Sequence, residues 1–398
     1  MKKLLLLGGL RYLIPVIKEA KKLGYYTITC DYLPDNIAHK YSDEYHNVSI
    51  TDKTAVLNLA KNLKVDGIMS FAVDPGVVTA AYVAEKLGLP GCPLKSVEIL
   101  QNKGLFRAFL KEHNFNVPQA KAFTTYNAAI EGISSFRFPL IVKPVDSAGS
   151  KGVSKIEQLS DLESAIDIAF LNSVSNTFIV EEFIEAQGYA SDSDGFSLNG
   201  KLEIITFSNQ YFNAKSENPY TPSAYSWPSS ISSVNQNKLK ADLQRLIGLL
   251  ELGTSLYNIE VRIGLNGEPY IMEVSPRGGG NRLSEMLNYA TGLNFIQFAI
   301  KGAMGENFNF HEDLNYTGNW TEIILYSMQE GEFSGIEIDL SIKPYLIEKD
   351  LWVEEGDKVY PFLAANYSIG TLVFNFDTRA QVENLITNRH KLVKINVI

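Results

Sequence analysis

The chain of 398 residues has few cysteines, no excess of basic residues and no long apolar run. Its two cysteines, Cys30 and Cys92, exclude a disulfide framework and a thiolate metal cluster. The formal net charge of −9 argues against a nucleic-acid-binding protein, which normally has a basic surface. No stretch reaches the roughly 18 uncharged apolar residues of a membrane span. We therefore expect neither nucleic acid nor a membrane as a partner.

The first residues resemble a signal peptide over too short a distance to act as one. Two lysines precede four leucines, but Gly8 and Gly9 end the apolar run and Arg11 follows. Together with the low cysteine content, this predicts a cytoplasmic protein.

Strand and helix patterns alternate over residues 1–93. The segments "KKLLLLGG", "YYTITCDY" and "VDGIMSF" are typical of buried strands, and apolar residues recur at helical spacing between them. This alternation indicates βαβ units and a parallel sheet. The dinucleotide fingerprint G-x-G-x-x-G is absent, although an acid, Asp31, follows the second strand. A nicotinamide-dependent oxidoreductase therefore stays as one alternative.

The rest of the sequence predicts a central domain over residues 94–304 and a smaller α+β module over 305–398. The segment "SVEILQNKGLFRAFLKEHN" predicts one amphipathic helix with Ser96 as its N-cap. The polar stretch from about 190 to 235 predicts a long irregular loop, and such loops are usually functional or mobile. The fold class that follows is α/β and α+β.

Two strands joined by Asn266-Gly267 carry the clearest chemical signal. The dipeptide predicts a two-residue type I′ turn, and Glu260 then lies directly opposite Glu273, with Cβ atoms about 5 Å apart. Opposed like charges destabilise a sheet unless something bridges them. A hard cation such as Mg²⁺ takes one or two carboxylates plus substrate phosphates and would bridge this pair. The alternative is a pair of solvated acids on an exposed sheet.

Arginines and glycines accompany the two acids. Arg262 shares their face, and Arg277 follows the second strand within "SPRGGGN", so both can pair with phosphate oxygens. The same turn pairs Val261 with Met272 on the opposite, apolar face. The acid face therefore belongs to a cleft or to the surface.

A second glycine-containing segment, "KPVDSAGSKGV", follows a predicted strand that ends at Lys143. Gly149 and Gly152 surround Ser150 and Lys151 and offer flexible backbone N–H groups to an anion. The segment lacks the G-x-x-x-x-G-K-[ST] pattern of a P-loop, and taken alone it is equally typical of a hairpin loop.

In this order, the motifs resemble the ATP-grasp superfamily of ligases. The resemblance covers about residues 1–305 and is strongest to the carboxylate–amine ligases related to carbamoyl-phosphate synthase, glycinamide ribonucleotide synthetase, biotin carboxylase and L-amino-acid ligases. It implies a pre-ATP-grasp domain (1–93), an ATP-grasp domain (94–304) with a flexible lid at about 119–187, and a C-terminal module (305–398). It also implies ATP, Mg²⁺ or Mn²⁺, and small-molecule carboxylate and amine substrates, and it is compatible with a homodimer.

The resemblance assigns roles to individual residues. Two cations, Lys151 and Arg277, are implied as catalytic. A metal site is implied at Glu260, Glu273 and Ser275. The residues implied in nucleotide binding are the two lysines of "QNKGLF" and "LIVKP", the mobile loop and the hinge "VEEFIEA": Lys103, Lys143, Ser147, Gly149, Ser150, Gly152, Glu181, Glu182, Phe183 and Ile184. Without the resemblance, Lys103 is expected to be a solvated surface lysine.

The sequence departs from the family pattern at two points. The acid that usually holds the ribose is replaced by Gly188, which leaves Asp192 as a candidate. The E-x-N after the second strand has Ser275 in place of the asparagine, and Asn258, which faces Ser275 in the predicted register, is a candidate for the missing oxygen ligand. These departures support one further alternative, a nucleotide-binding sensor or scaffold without turnover.

The resemblance also implies a reaction. A carboxylate attacks the γ-phosphate of ATP to give an acyl phosphate, an amine captures the acyl group, and ADP and phosphate are released. Positioning and charge neutralisation can carry this chemistry, and the sequence offers no Ser-His-Asp or Cys-His arrangement. The segment from 210 to 230, rich in Tyr, Ser and Pro, is expected to line the acceptor site.

Overall fold

The computed structural model of the chain describes residues 1–216, 218–308, 310 and 313–398. Glu217, within the expected acceptor segment, lies outside the described residues. No helix in the described part is both long and apolar enough to cross a bilayer. The predicted fold class, α/β and α+β with an N-terminal parallel sheet, is confirmed.

The N-terminal domain is a four-stranded parallel sheet in the order β3-β2-β1-β4. Leu4 to Leu7 are fully buried, because helices cover both faces of the sheet. The elements of this domain are β1 (Lys3–Leu7), α1 (Ile14–Lys22), β2 (Tyr26–Cys30), β3 (Glu44–His46), α2 (Lys53–Leu63), β4 (Gly67–Ser70) and α3 (Val77–Leu87).

The single helix predicted from Ser96 is two helices, α4 (Leu94–Gln101) and α5 (Lys103–Glu112). The break occurs at Asn102, whose backbone is extended and whose side chain accepts a hydrogen bond from Leu105 N–H. Asparagine is a favoured N-cap because its side chain satisfies an otherwise unpaired N–H. Pro93, and not Ser96, precedes the first helix. The break makes Lys103 the first residue of α5.

The lid region is a four-stranded antiparallel sheet in the order β5-β8-β6-β7, packed on two helices. Its elements are β5 (Ala120–Phe123), α6 (Tyr126–Gly132), β6 (Leu140–Pro144), β7 (Ser154–Ile156), α7 (Leu162–Leu171) and β8 (Phe178–Glu182). The sheet has its own apolar core, which makes it a separate unit. Its flexibility stays a prediction.

The next region holds a second antiparallel sheet, in the order β10-β9-β13-β14. Its apolar face packs on α8 and α5. The elements of the region are β9 (Ser191–Leu198), β10 (Lys201–Ile205), β11 (Asn209–Phe212), β12 (Pro222–Trp227), α8 (Ser233–Leu249), β13 (Ser255–Ile263) and β14 (Pro269–Ser275).

The loop predicted from about 190 to 235 is wrong, because four strands, β9 to β12, lie there. The sequence of β9, "SDSDGFSL", is polar, yet the strand is buried over seven of its eight residues. Its side chains hydrogen-bond to other side chains: Ser193 with Thr206 at 2.6 Å and Asp192 with Asn258 at 2.6 Å. Satisfied polar groups of this kind can be buried at little cost.

The β13–β14 hairpin closes with a three-residue loop, so the predicted type I′ turn is wrong. Gly264 N–H donates to Glu268 O at 2.9 Å, and Gly267 adopts φ +77°. A bulge at Met272 then shifts the register by one residue, so that Val261 faces Ile271. Beyond the bulge the predicted pairs return: Glu260 faces Glu273, and Asn258 faces Ser275. The extra loop residue and the bulge offset each other.

The C-terminal region shares a sheet with the central region. The five-stranded order β11-β12-β15-β19-β17 joins strands from both sides of residue 304, and a smaller sheet has the order β18-β16-β20. Because this sheet contains strands from both sides of residue 304, it does not mark a domain boundary there, and the predicted boundary at 304 remains a prediction. The remaining elements are α9 (Leu283–Thr291), α10 (Phe295–Ala303), β15 (Asn319–Leu325), β16 (Gly331–Ile338), β17 (Leu346–Leu351), β18 (Lys358–Val359), β19 (Gly370–Phe376), α11 (Arg379–Leu392) and β20 (Val393–Val397).

Candidate active site

Two rows of polar side chains cross β9, β13 and β14 on the face opposite the apolar core. We call this surface the acid face. Directly opposed residues of an antiparallel sheet point to the same side, so each row is a line of neighbouring side chains. The two rows are Asp192, Glu260 and Glu273, and Asp194, Asn258 and Ser275.

Glu260 and Glu273 form a strained carboxylate pair. Burial raises the pKa of Glu260, and the neighbouring charge of Glu273 raises it further. The Nζ of Lys103 lies 3.4 Å from Glu273 Oε2 and compensates part of the charge. No group of three or more His, Cys, Asp or Glu side chains in the described ranges is arranged to hold a metal ion. A pair of carboxylates suits Mg²⁺, which completes its shell with water and phosphate oxygens.

Lys103 connects the acid face to the glycine loop. Its backbone N–H donates to Val145 O at 2.9 Å, and its Nζ donates to Ser147 O at 2.8 Å. The side chain is only 16% exposed. The alternative of a solvated surface lysine is therefore wrong, and the break at Asn102 is what directs Lys103 inward.

Lys143 belongs to a buried ion-pair cluster with Glu181 and Arg107. Arg107 Nε donates to Glu181 Oε2 at 2.9 Å, and Lys143 Nζ donates to Glu181 Oε1. Although burial opposes ionisation, the two cations lower the pKa of Glu181 to about 2, whereas burial lowers the pKa of Lys143. Arg107 Nη1 also donates to Met272 O at 2.8 Å. The cluster therefore ties α5, the lid sheet and β14 together.

Arg107 was not among the residues singled out from the sequence. It lies on the buried face of the amphipathic helix α5, between Phe106 and Leu110. A charged residue on an apolar helix face needs a partner, and this position was the signal available in the sequence.

The hinge after β8 presents backbone groups to the cleft. Phe183 N–H donates to Pro139 O at 3.0 Å, and Arg262 Nη1 donates to Ile184 O at 3.3 Å. Within the described ranges, Phe183 C=O and Ile184 N–H have no hydrogen-bond partner in the protein. These two groups belong to one trans peptide and point in opposite directions, so only one of them can face a bound purine.

Glu182 does not join the lysine cluster. Successive residues of a strand point to opposite faces, so Glu182 points away from Glu181. Its carboxylate accepts hydrogen bonds from Arg137 N–H at 2.9 Å and Arg137 Nη2 at 3.0 Å. The structure therefore places the side chain of Glu182 outside the cluster that holds Lys143.

The glycine loop is held at its tip by a segment near β12. Gly149, Ser150 and Gly152 all have positive φ, which gives the loop its tight turns. Ser150 Oγ donates to Tyr220 O at 2.9 Å, and Asn218 Nδ2 donates to Ser150 O at 3.1 Å. Ser147 and Ser150 thus contact two different parts of the chain.

Lys151 is exposed at the same tip. It lines a surface groove together with Asn218, Tyr220 and Tyr367. The structure does not bring Lys151 to the carboxylate pair as it does Lys103.

Arg277 is buried and bound on three sides. Its Nε and Nη2 donate to the two oxygens of Asp74 at 2.9 and 2.7 Å, and its Nη1 donates to Asn258 Oδ1 at 3.2 Å and to Gly278 O at 2.9 Å. Burial alone would raise the pKa of Asp74, but the charge of Arg277 outweighs burial and lowers this pKa.

Asp74 was not predicted from the sequence. It follows β4 at the carboxyl end of the parallel sheet, where α/β proteins place their binding residues, and that position was the available signal.

Ser275 is part of the same anchor. Its Oγ donates to Asp74 Oδ1 at 3.1 Å and accepts a hydrogen bond from Gln101 Nε2 at 2.8 Å. The amide oxygen of Asn258 is occupied by Arg277, and its Nδ2 donates to Asp192. The two candidates for an additional metal ligand are thus both engaged within the protein.

The "PRGGGN" loop docks on the N-terminal domain. Ala72 N–H donates to Gly278 O at 3.1 Å, and a Cβ at position 278 would collide with the ring of Phe71. Gly279 N–H donates to Asp194 Oδ1 at 2.9 Å. Gly278 and Gly279 are needed for this close backbone approach, and the loop is fixed by contacts on both sides.

Asp192, the candidate ribose ligand, lies beside Glu260 on the acid face. Its carboxylate accepts hydrogen bonds from Asn258 Nδ2 at 2.6 Å and Tyr225 OH at 3.1 Å. Burial and the charge of Glu260 raise the pKa of Asp192 well above its ordinary range. Its role toward a ribose stays a prediction.

The lid sheet faces the acidic antiparallel sheet, lysines lie between the two sheets, and the α/β domain lies in front of them. This is the arrangement of the ATP-grasp fold. Residues 136–285 match the family described as ATP-grasp domain. The chain therefore contains an ATP-grasp domain, as the sequence motifs predict. The matched stretch includes the glycine loop, the hinge and both glutamates, whereas Asp74, Lys103 and Arg107 lie before it.

Known proteins extend the likeness to the whole chain. The carbamoyl phosphate synthase large chain of Clostridium beijerinckii is 22% identical over 300 residues, which are 73% of this chain and 27% of that protein. The chain thus spans about a quarter of the length of this curated relative. The L-amino acid ligase of Bacillus licheniformis has a TM-score of 0.83 at 20% identity, covering 100% of this chain and 99% of that chain. Phosphoribosylglycinamide synthetase of Anaerococcus prevotii has a TM-score of 0.78 at 21% identity, covering 100% of both chains. These likenesses establish the fold.

Proposed function

We propose that the chain is an ATP-dependent ligase that activates a small-molecule carboxylate as an acyl phosphate and joins it to an amine. The observation that carries this proposal is the opposed pair Glu260 and Glu273, with Lys103 Nζ 3.4 Å from Glu273 Oε2. Paired acids beside a lysine, under a glycine loop, suit a phosphate–metal complex. The similarity to carboxylate–amine ligases of the same fold supports the reaction class.

The carboxylate pair fits a divalent cation, Mg²⁺ or Mn²⁺. Burial, and then the charge of Glu273, raise the pKa of Glu260, and a bound cation would offset both effects. Glu260 and Glu273 would be its protein ligands, and we place Ser275 in the Arg277 anchor because its hydroxyl is engaged there. When bound, the metal ion neutralises charge on the phosphates of ATP.

The nucleotide would lie between the lid sheet and the acid face. The hinge backbone at Phe183 and Ile184 would meet the adenine, through the one group of their shared peptide that faces it. Lys103 and Lys143 would bind the phosphates, exchanging contacts with Glu273 and Glu181 for phosphate oxygens. The glycine loop would cover the phosphates, and Lys151 would reach them as the loop closes.

Arg277 would stabilise the charge that grows during phosphoryl transfer. Asp74 and Asn258 fix its guanidinium in the cleft, so little reorganisation is needed at the moment of reaction. No side chain in the described part is placed as a protein nucleophile, which favours direct transfer to the substrate carboxylate. The acyl phosphate is then attacked by the amine nitrogen, the C–O bond to phosphate breaks, and phosphate leaves.

The proposal is tested by a phosphate-release screen over carboxylate and amine pairs with Mg-ATP. With the correct acid, hydroxylamine in place of the amine should yield a hydroxamate together with ADP and phosphate. If the products are AMP and pyrophosphate instead, the reaction proceeds through an acyl adenylate and not through an acyl phosphate.

A second candidate function is a nucleotide-binding sensor or scaffold without turnover. Its supporting observation is that Lys143, Ser275 and Arg277 are all engaged within the protein. Tight ATP binding without ADP formation for any substrate pair would favour this candidate over the ligase.

A further inference from the structure

A cavity of about 80 Å³ lies at the junction of the N-terminal domain and the central region. Residues of β4 and α3 line it from the N-terminal domain, and residues of α10 and of the start of β13 line it from the central region. The lining also includes Pro276, Arg277 and Gly278 of the "PRGGGN" loop. We call this space the junction cavity. Protein interiors contain few voids larger than a water molecule, so a space of this size is a distinct feature.

The junction cavity exists because small side chains of two helices border it. Helix α3 contributes three alanines, and α10 contributes two alanines and a glycine: Ala80, Ala81 and Ala84, and Ala299, Gly302 and Ala303. Within each helix these positions are three or four residues apart and lie on one face. A larger side chain at one of them would occupy the space.

The side chains of the lining favour an apolar occupant. Its serine, threonine and cysteine side chains are all hydrogen-bonded to backbone groups: Ser70 to Val73 O at 2.6 Å, Cys92 to Leu252 O at 3.1 Å, Thr254 to Asn199 N–H at 2.9 Å and Ser255 to Leu256 O at 2.9 Å. A buried water molecule needs several polar partners, and these engaged groups leave it few. An apolar group needs none.

The junction cavity opens toward the surface at one end. Four residues line both the cavity and a surface groove of about 570 Å³: Pro90, Gly91, Thr254 and Gly302. The opening is narrow, because a Cβ on Gly302 would lie 3.3 Å from Thr254 Cγ2. The groove itself has polar walls, which include Asn199, Glu306 and Asn307. An apolar cavity thus leads into a polar groove.

We propose that the junction cavity and its groove bind a short aliphatic amine, with the aliphatic end inside and the ammonium group in the groove. An apolar cavity of about 150 Å³ holds benzene with its six carbons, so a space of about 80 Å³ suits roughly three or four carbons. The carboxylate of Glu306 favours a cation in the groove and disfavours an anion. Of the residues assigned to the candidate active site, the lining contains Arg277, so the inference does not depend on the ligase reaction.

A ligand in this position bridges two parts of the chain. It would contact β4 on one side and Gly278 on the other. The same junction is held by the hydrogen bond from Ala72 N–H to Gly278 O and by the pair of Asp74 and Arg277. Because the bound ligand contacts both sides at once, it stabilises the closed junction over an opened one.

Binding is tested by calorimetry and by NMR of the whole chain with ¹³C-methyl methionine. Isobutylamine should shift the signal of Met69, which lines the cavity, and leave that of exposed Met328 unchanged. Isobutyrate, which has the same aliphatic end and an anionic head, should bind at least about tenfold more weakly. Methylamine, which keeps the ammonium and lacks the aliphatic end, should not shift Met69. The absence of a Met69 shift with isobutylamine would show an unoccupied packing void and overturn the inference.

Variants that fill the junction cavity from two helices locate the binding. Ala81→Leu on α3 and Ala299→Leu on α10 should abolish isobutylamine binding while the melting temperature stays near or above that of wild type. Ala241→Leu, at an exposed position of α8, should bind as wild type does. Wild-type binding in both filling variants would overturn the inference. Unfolding of both would show that the space is already filled and would overturn it as well.

Hydrogen exchange tests the bridging role. If the ligand stabilises the junction, the Ala72 amide should exchange up to about tenfold more slowly at a ligand concentration of about ten times Kd. The Gly264 amide, which is bonded to Glu268 O in the β13–β14 loop, is the control and should be unaffected. A Met69 shift without slower exchange at Ala72 would overturn the bridging role. Neither readout involves ATP, so a negative result leaves the ligase proposal intact.

Discussion

Asp74 and Arg277 join the N-terminal domain to the end of β14 through two hydrogen bonds, of 2.9 Å from Nε and 2.7 Å from Nη2. The pair has the parallel, two-point geometry in which arginine binds carboxylates most strongly. It fixes a cation beside the acid face from outside the ATP-grasp domain. The N-terminal domain thus supplies part of the candidate active site.

Asp74→Asn should lower kcat by about 10- to 100-fold, because Arg277 loses both its orientation and its compensating charge. The KM for ATP should stay near wild type, since Asp74 lies outside the nucleotide contacts proposed above. Breaking a buried ion pair should also cost about 3 kcal/mol of stability, measured by urea unfolding. Asp74→Glu should recover part of the kcat. Equal kcat in Asp74→Asn and wild type would contradict an orienting role.

Glu273→Gln should abolish turnover and leave the fold intact, because it removes half of the carboxylate pair. Without Mg²⁺ its melting temperature should equal or exceed that of wild type, since the charge of Glu273 raises the pKa of Glu260 and the repulsion is relieved. The shift in melting temperature that Mg-ATP causes in wild type should disappear. Glu268→Gln, which alters only an exposed ion pair with Lys238, is the matched control. A wild-type Mg-ATP shift in Glu273→Gln would contradict metal binding.

Limited proteolysis at Lys151 should slow when Mg-ATP or a non-hydrolysable analogue is added. The loop tip is held by two hydrogen bonds from Ser150 and Asn218, and the side chain of Lys151 is exposed. Asn218→Ala should raise the cleavage rate without nucleotide, because it removes one of these bonds. Cleavage that is indifferent to nucleotide would contradict a phosphate-covering loop.

The stability of the protein should depend on pH through Glu322. Its pKa is raised to about 8 in the folded protein, so between about pH 4.5 and 8 the folded state holds a proton that the unfolded state has lost. Stability from this group therefore falls as pH rises through that window, by at most about 1.4 kcal/mol per pH unit, and is level above it. The groups around it are Tyr12, Arg282, Glu285 and Glu348.

Glu322→Gln removes this titration, and its advantage over wild type should grow from pH 5 to pH 8 in urea unfolding. A difference that stays constant across this range would show that Glu322 titrates normally. Exposed Glu330→Gln should give no pH-dependent difference.

The fold class and the carboxylate pair could be predicted because each rests on a local pattern. Alternating strands and helices define the parallel sheet, and a hairpin signal brings Glu260 opposite Glu273. The pairing held although the turn type was wrong, because the bulge at Met272 restored the register. A bulge has no strong signature in one sequence, so this agreement came from two offsetting irregularities.

Strand β9 could not be predicted, and neither could the residues with which Asp74 and Arg107 pair, because both depend on contacts between distant segments. The sequence of β9 is as polar as a loop, and only its hydrogen bonds to side chains such as Thr206 and Asn258 permit its burial. Asp74 and Arg277 are separated by 203 positions. Local propensity carries no information about such pairs.

The five-stranded sheet makes the C-terminal module part of the candidate active site's support. Strand β12 carries Tyr225, which donates to Asp192, and β12 is hydrogen-bonded to β15 on the far side of residue 304. A chain cut after residue 304 would leave β12 as an open edge, and open edges invite pairing with other chains. The position of the carboxylate next to Glu260 therefore depends, through β15 and β12, on residues that follow position 304.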